Sequence, residues 1–153
     1  MNSLSDELIH RHMRVDRRRT SEQVIGATRR HGHVSRAALK TMPREGNQEE
    51  DIFFFKMPSV HDVGTDEVID AYDRHGLEPD PVGVAKVNED NPFFADGYPN
   101  VCLWQDSQGR WCYVLFCSQH SEFILDVDFY NGTWSGWRWW FGGRHKIAPR
   151  PSQ

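Results

Sequence analysis

Cys117-Ser118-Gln119-His120 sets a thiol three residues ahead of an imidazole, the pairing from which a thiolate nucleophile or half of a zinc site is built. Asp126 and Asp128 alternate along a strand-like run and so point the same way, as two carboxylates must to hold a hard cation or to act as acid and base. His10-x-His12 and His31-x-His33 repeat the ligand-like spacing. None of these patterns is complete in the sequence. A structural zinc needs four ligands, and no second Cys-x-x-Cys supplies them. Cys117 becomes a nucleophile only if folding brings His120 or His145 to it. No strand-to-helix glycine signature for phosphate surrounds Gly132 or Gly142-Gly143. The chain therefore reads as a non-enzymatic protein with no expected cofactor or metal, and a small metal-dependent or Cys/His enzyme is the third-ranked reading.

The residues that stand out more are aromatic. Trp134, Trp137, Trp139 and Trp140 fall within seven positions, and a strand cannot place the consecutive Trp139 and Trp140 on one face. Large rigid rings beside an arginine are typical of recognition surfaces, because they bury much area at little cost in conformational entropy. Trp104, Trp111, Tyr113, Trp137, Arg138, Trp139 and Trp140 are the candidate binding residues, and the expected partner is another protein or a second copy of the chain. Nucleic-acid binding is the alternative, through Arg29, Arg30, Arg36 and Lys40 if residues 20–42 form a helix-turn-helix.

These side chains must be positioned by an α+β fold, with short N-terminal helices leading into a small, aromatic-rich, mainly antiparallel sheet. Thr20 or Ser21 caps a first helix running through Thr28 and stopping at Gly32, and Ser35 caps a second that Pro43 terminates. Ile52-Phe53-Phe54-Phe55 reads as a buried strand. Thr65 heads a third helix, with acids in its first turn and Gly76-Leu77 as its stop, and Asp80-Pro81 opens a fourth that Pro92 ends. Residues 101–105 and 110–116 flank the turn-rich Asp106-Ser107-Gln108-Gly109 and predict a hairpin. Pairing Gln105 with Arg110 would put Val101, Leu103, Cys112, Val114 and Phe116 on one face and Cys102, Trp104, Trp111 and Tyr113 on the other, so that both faces need covering. Residues 122–130 alternate as a further strand, Asn131-Gly132 marks a turn, and a last strand is expected within residues 136–144.

The 153 residues suit one domain, expected over residues 20–146 between a flexible basic segment at 1–19 and a flexible tail at 147–153. Three cysteines, an odd number with no signal-like start, argue for free thiols and a cytoplasmic location, and no apolar run is long enough for a membrane helix. Charge is uneven: residues 1–45 hold ten Lys/Arg against five Asp/Glu, residues 46–135 four against seventeen, and residues 136–153 four against none. The basic ends fit either an acidic partner or attraction to the chain's own acidic middle.

The run from Thr20 through Met42-Pro43-Arg44 to Asp51-Ile52-Phe53-Phe54-Phe55-Lys56, with segments 72–79, 91–96, 104–116 and 134–146, resembles a set of small bacterial and phage proteins of no assigned activity. That resemblance spans about two-thirds of the chain and implies no catalytic residue. The tryptophan-rich closing strand is faintly similar to the end of C-type-lectin-like binding domains, without their disulfides and calcium ligands.

Overall fold

The computed structural model describes residues 7–58 and 60–147. The chain opens on a strand, β1 (Ile9–Arg14), which pairs antiparallel with β2 (Glu49–Lys56) so that Ile9 lies opposite Phe54 and Arg14 opposite Glu49. Within the segment 1–19 expected to be flexible, the structure places this strand, so the helices expected to open the fold come after it. Met13 and Val15 are buried, and the Arg17 guanidinium makes a bidentate pair with Asp80 at 2.7 and 2.8 Å. The strand is disguised in the sequence because it is an edge whose outward positions are His10, His12 and Arg14, charges of the kind that keep edges from pairing with other chains. Residues 1–6 of that segment, and residues 148–153 of the expected tail, lie outside the described residues.

Helix α1 (Ser21–Gly26) starts as predicted: the Thr20 hydroxyl accepts from the Gln23 amide, and the Gln23 side chain accepts from the Thr20 amide. It ends six residues short of Gly32, where the Thr28 hydroxyl bonds back to the Ile25 carbonyl and Arg29 turns to a φ of 56°. α2 (Arg36–Leu39), capped by Ser35, is a single turn. After β3 (Asp62–Gly64) come α3 (Thr65–Arg74) and β4 (Leu77–Pro79), separated by Gly76 at a φ of 69°. α4 (Pro81–Asp90) is capped by the Asp80 carboxylate, with Pro81 in its first turn, and α5 (Phe94–Gly97) follows. Strands β5 (Asn100–Gln105), β6 (Trp111–Gln119), β7 (Glu122–Phe129), β8 (Thr133–Ser135) and β9 (Trp140–His145) complete the fold.

Seven strands form one mixed, mainly antiparallel sheet in the order β1-β2-β9-β5-β6-β7, with β4 also paired to β9, while β3 and β8 make a separate two-stranded sheet. The α+β class holds. Each face of the large sheet carries its own core. Ile52, Phe54, Cys102, Trp104, Cys112, Val114, Phe116, Leu125 and Val127 pack against α1, α2, α4 and α5. Phe55, Val101, Leu103, Tyr113, Cys117 and Phe141 face Val68, Ala71 and Tyr72 of α3 together with Val63 and Trp134 of the small sheet. Both faces of the β5–β6 hairpin are thus covered, as its double apolar pattern requires.

The hairpin register differs from expectation by one residue. Gln105 pairs with Trp111, not Arg110, because the Asp106 carboxylate gathers the Gln108 and Arg110 amides into a five-residue loop with Gly109 at a φ of 80°. A one-residue shift exchanges the faces of a whole strand. Cys102 and Cys112 therefore share a face with Trp104, while Tyr113 joins Val101 and Leu103 on the other; all three cysteines are buried and free. Among the described residues, no helix is long and apolar enough to cross a membrane.

Candidate functional site

The candidate binding residues separate by burial. Trp104 lies beneath α2, its indole N–H donating to the Thr41 hydroxyl at 2.9 Å. Trp111 is half-buried along the second core. Trp139 and Trp140 take opposite faces of the sheet, as alternation demands: Trp139 joins the second core, whereas Trp140 stands edge-on to Tyr98 at 5.4 Å beneath the Lys56 ammonium. Trp137 is 59% exposed at the turn before β9. The seven residues do not make one continuous aromatic face. The structure instead gathers Tyr113 and Trp139 with Tyr130 and Trp134, two residues outside the candidate set.

These four rings line a pocket of about 230 Å³, closed by Leu115, Thr133 and Ser135. Tyr113 rises from β6, and the β7–β8 turn at Asn131-Gly132 sends the chain back so that Trp134 of β8 meets Tyr113 edge-on at 5.4 Å and 81°. Tyr130, at the mouth, lies edge-on to Trp134 at 5.2 Å and to Tyr113 at 6.0 Å. It is held by a hydroxyl bond to the Thr133 carbonyl at 2.7 Å, and its ring lies across Gly132, where a side chain would come within 2.4 Å of it. The Ser135 carbonyl accepts from the Arg138 and Trp139 amides, a tight turn that brings Trp139 back against Trp134 at 6.1 Å and 85°. Each contact is of the edge-to-face kind that aromatic rings prefer. Arg138 lies over the Trp139 ring, 4.6 Å from its centroid.

Charges of both signs stand beside the pocket, Arg138 at the Trp139 ring and a carboxylate behind Tyr113. Tyr113 donates its hydroxyl to Asp126 Oδ2 at 3.0 Å, and Asp126 sits opposite Leu115 in the β6–β7 pairing. The other carboxylate oxygen, Oδ1, is buried and without a partner among the described residues, as is the Trp134 indole nitrogen. Burial and the Asp126 charge push the Tyr113 hydroxyl well above its ordinary range, so it stays a donor at any physiological pH. Asp128, on the same strand face, instead pairs with His33 at 3.0 Å. The two aspartates thus serve different neighbours, and no group of three or more metal-ligating side chains occurs among the described residues.

Cys117 faces the second core, and burial raises its thiol against the opposing pull of Arg138 and Arg30. His120 is in the turn beyond β6 at a φ of 51°, and His145 packs on Phe53 at 4.4 Å, so neither is set beside the thiol as a base. Of the basic residues, Arg30 points inward, donating to the Cys117, Ile124 and Pro92 carbonyls, with its guanidinium over Phe123. Arg29, Arg36 and Lys40 are exposed, the last two at the start and the C-terminal cap of a one-turn helix that is short for a groove-reading element.

Tyr130 and Trp134 were within reach of the sequence: Asn131-Gly132 announces the turn, and Trp134 stands two residues beyond it. Comparison with known proteins finds no matching family model, curated protein or solved structure.

Proposed function

We propose that this protein is a non-enzymatic recognition module that binds a protein partner by taking one of its side chains into the pocket formed by Tyr113, Tyr130, Trp134 and Trp139. The observation that carries this reading is the pocket itself, four rings joined edge-on through Trp134 and open to the surface at Tyr130, with exposed Trp137 and half-buried Arg138 following in the turn. Rigid aromatic anchors around a central cavity and an arginine at the rim are the composition of binding hot spots. Trp104 and Trp140, which lie with the core on the opposite side of the sheet, serve stability in this reading.

The test is an immobilised peptide library probed with the wild-type chain and with Tyr130→Ala, Trp137→Ala and Trp104→Ala. Peptides held by the wild type should be lost by Tyr130→Ala and weakened by Trp137→Ala with unchanged melting, whereas Trp104→Ala should lower stability by about 3–5 kcal/mol. Sedimentation alongside reads self-association. Peptide binding indifferent to Tyr130 would overturn the proposal.

A further inference from the structure

We infer that the side chain this pocket takes is a methylated lysine of the partner, held by its cationic ammonium group; the inference rests on the recognition reading above and names its ligand. A purely apolar pocket would be lined by aliphatic groups, but here Leu115 is the single aliphatic residue among the seven lining side chains. Four of the other six, Tyr113, Tyr130, Trp134 and Trp139, are aromatic, with Thr133 and Ser135 completing the wall, and the faces of aromatic rings carry negative potential. Walls of this kind are the recurrent solution for binding quaternary and methylated ammonium groups, whose charge is spread over methyls that shed water easily.

The electrostatics point the same way. Asp126 stands behind the pocket with one oxygen on the Tyr113 hydroxyl and the other unpartnered. A phenol that donates to a carboxylate gains electron density on its ring, which strengthens its attraction for a cation. Asp126 is half-buried with its Oδ1 closed to solvent, so its field passes partly through protein, which screens it less than water does. On the Tyr113 side of the pocket this carboxylate therefore favours a cation. Arg138 shows that the Trp139 ring accepts one, since its guanidinium already lies over that ring at 4.6 Å. Being at the edge of the site and of the same sign as the ligand, Arg138 opposes binding and tunes it. Acetylated or unmethylated lysine fits less well, the first for want of charge, the second because its compact ammonium is strongly hydrated.

The experiment titrates three small ligands into the intact chain: N-acetyl-trimethyllysine amide, its neutral isostere with a tert-butyl group in place of trimethylammonium, and choline. The indole N–H resonances of Trp134 and Trp139 are followed by NMR. The cationic amide should shift both resonances, bind about tenfold more tightly than the neutral isostere, and bind more tightly than choline. Asp126→Asn should weaken it severalfold while leaving the isostere unaffected, and Arg138→Gln should tighten it. Equal binding of the cation and its isostere would overturn this inference yet leave a recognition pocket of apolar specificity. Tighter binding of choline would overturn the assignment to a protein side chain. Weaker binding by Arg138→Gln would mark an anionic ligand and overturn it too. Failure of all three ligands to move either indole would remove both the methyllysine ligand and the pocket as the recognition element.

Discussion

Asn88 of α4 and Asn100 of β5, both fully buried, meet amide to amide, each side-chain nitrogen donating to the other's oxygen at 2.8 and 3.1 Å. Asn88 also donates to the Val84 carbonyl one turn back, and Asn100 to the Tyr98 carbonyl, so both protons of each amide nitrogen are engaged. The pair fixes how α4 lies across the sheet. Asn88→Ala should destabilise the protein by about 2–3 kcal/mol, since it strands a buried carbonyl and amide on Asn100. Urea unfolding read by tryptophan fluorescence checks this: the midpoint should fall with the slope unchanged.

Gly132→Ala should separate binding from folding. Its backbone is not in the left-handed region, so alanine is tolerated there, but the new methyl would meet the Tyr130 ring at 2.4 Å and must push it from the pocket mouth. Melting should change by less than about 1 kcal/mol in equivalent stability, while ligand-induced shifts at Trp134 should be lost. Retained binding would show that Tyr130 is not needed at the mouth.

The edge pair β1–β2 should be sensitive to pH. Hydrogen bonds to Asp51 and Glu49 raise the His12 imidazole above its ordinary 6.5, and His10 and His12 lower the Asp51 carboxyl below its ordinary 3.8. A raised imidazole stabilises the fold fully below the unfolded value, and this is lost as pH rises through the folded one. A lowered carboxyl contributes above its unfolded value, and this is lost as pH falls through the folded one. Amide exchange in residues 9–14 should therefore be most protected between the two ranges, relative to the intrinsic rate, and His12→Gln should flatten that profile. An unchanged profile would sink the idea.

The three thiols should be inert in the native state. Burial raises Cys102, Cys112 and Cys117 alike, leaving little thiolate at neutral pH. A disulfide reagent should label none of them within minutes at pH 7.5 and all three once urea is added. Rapid native labelling of Cys117 would reopen it as a reactive centre.

Local signals were legible where one residue dictates the backbone. Thr20, Ser35 and Asp80 cap the helices expected of them, and Gly76 ends α3. What the sequence concealed depends on distant partners. β1 is a strand because β2 lies beside it, and the histidines facing solvent mask its alternation. The hairpin register turned on the Asp106 carboxylate choosing the Arg110 amide, a choice that composition does not display. The pocket joins residues 113, 130, 134 and 139 across two sheets, so the cluster of tryptophans was visible but its division between core and cavity was not.

The place of β9 has a consequence for how the chain is made. It lies between β2 and β5 in the large sheet, pairing antiparallel with the first and parallel with the second, yet among the described residues it follows in sequence every strand it joins. Without β9 the pairings of the large sheet fall into two separate groups, β1–β2 and β5–β6–β7, and β2 and β5 each lose a partner along one edge. Contacts this distant in sequence form slowly. A ribosome stalled before residue 140 would leave both edges bare, and such fragments are the ones that chaperones must shield.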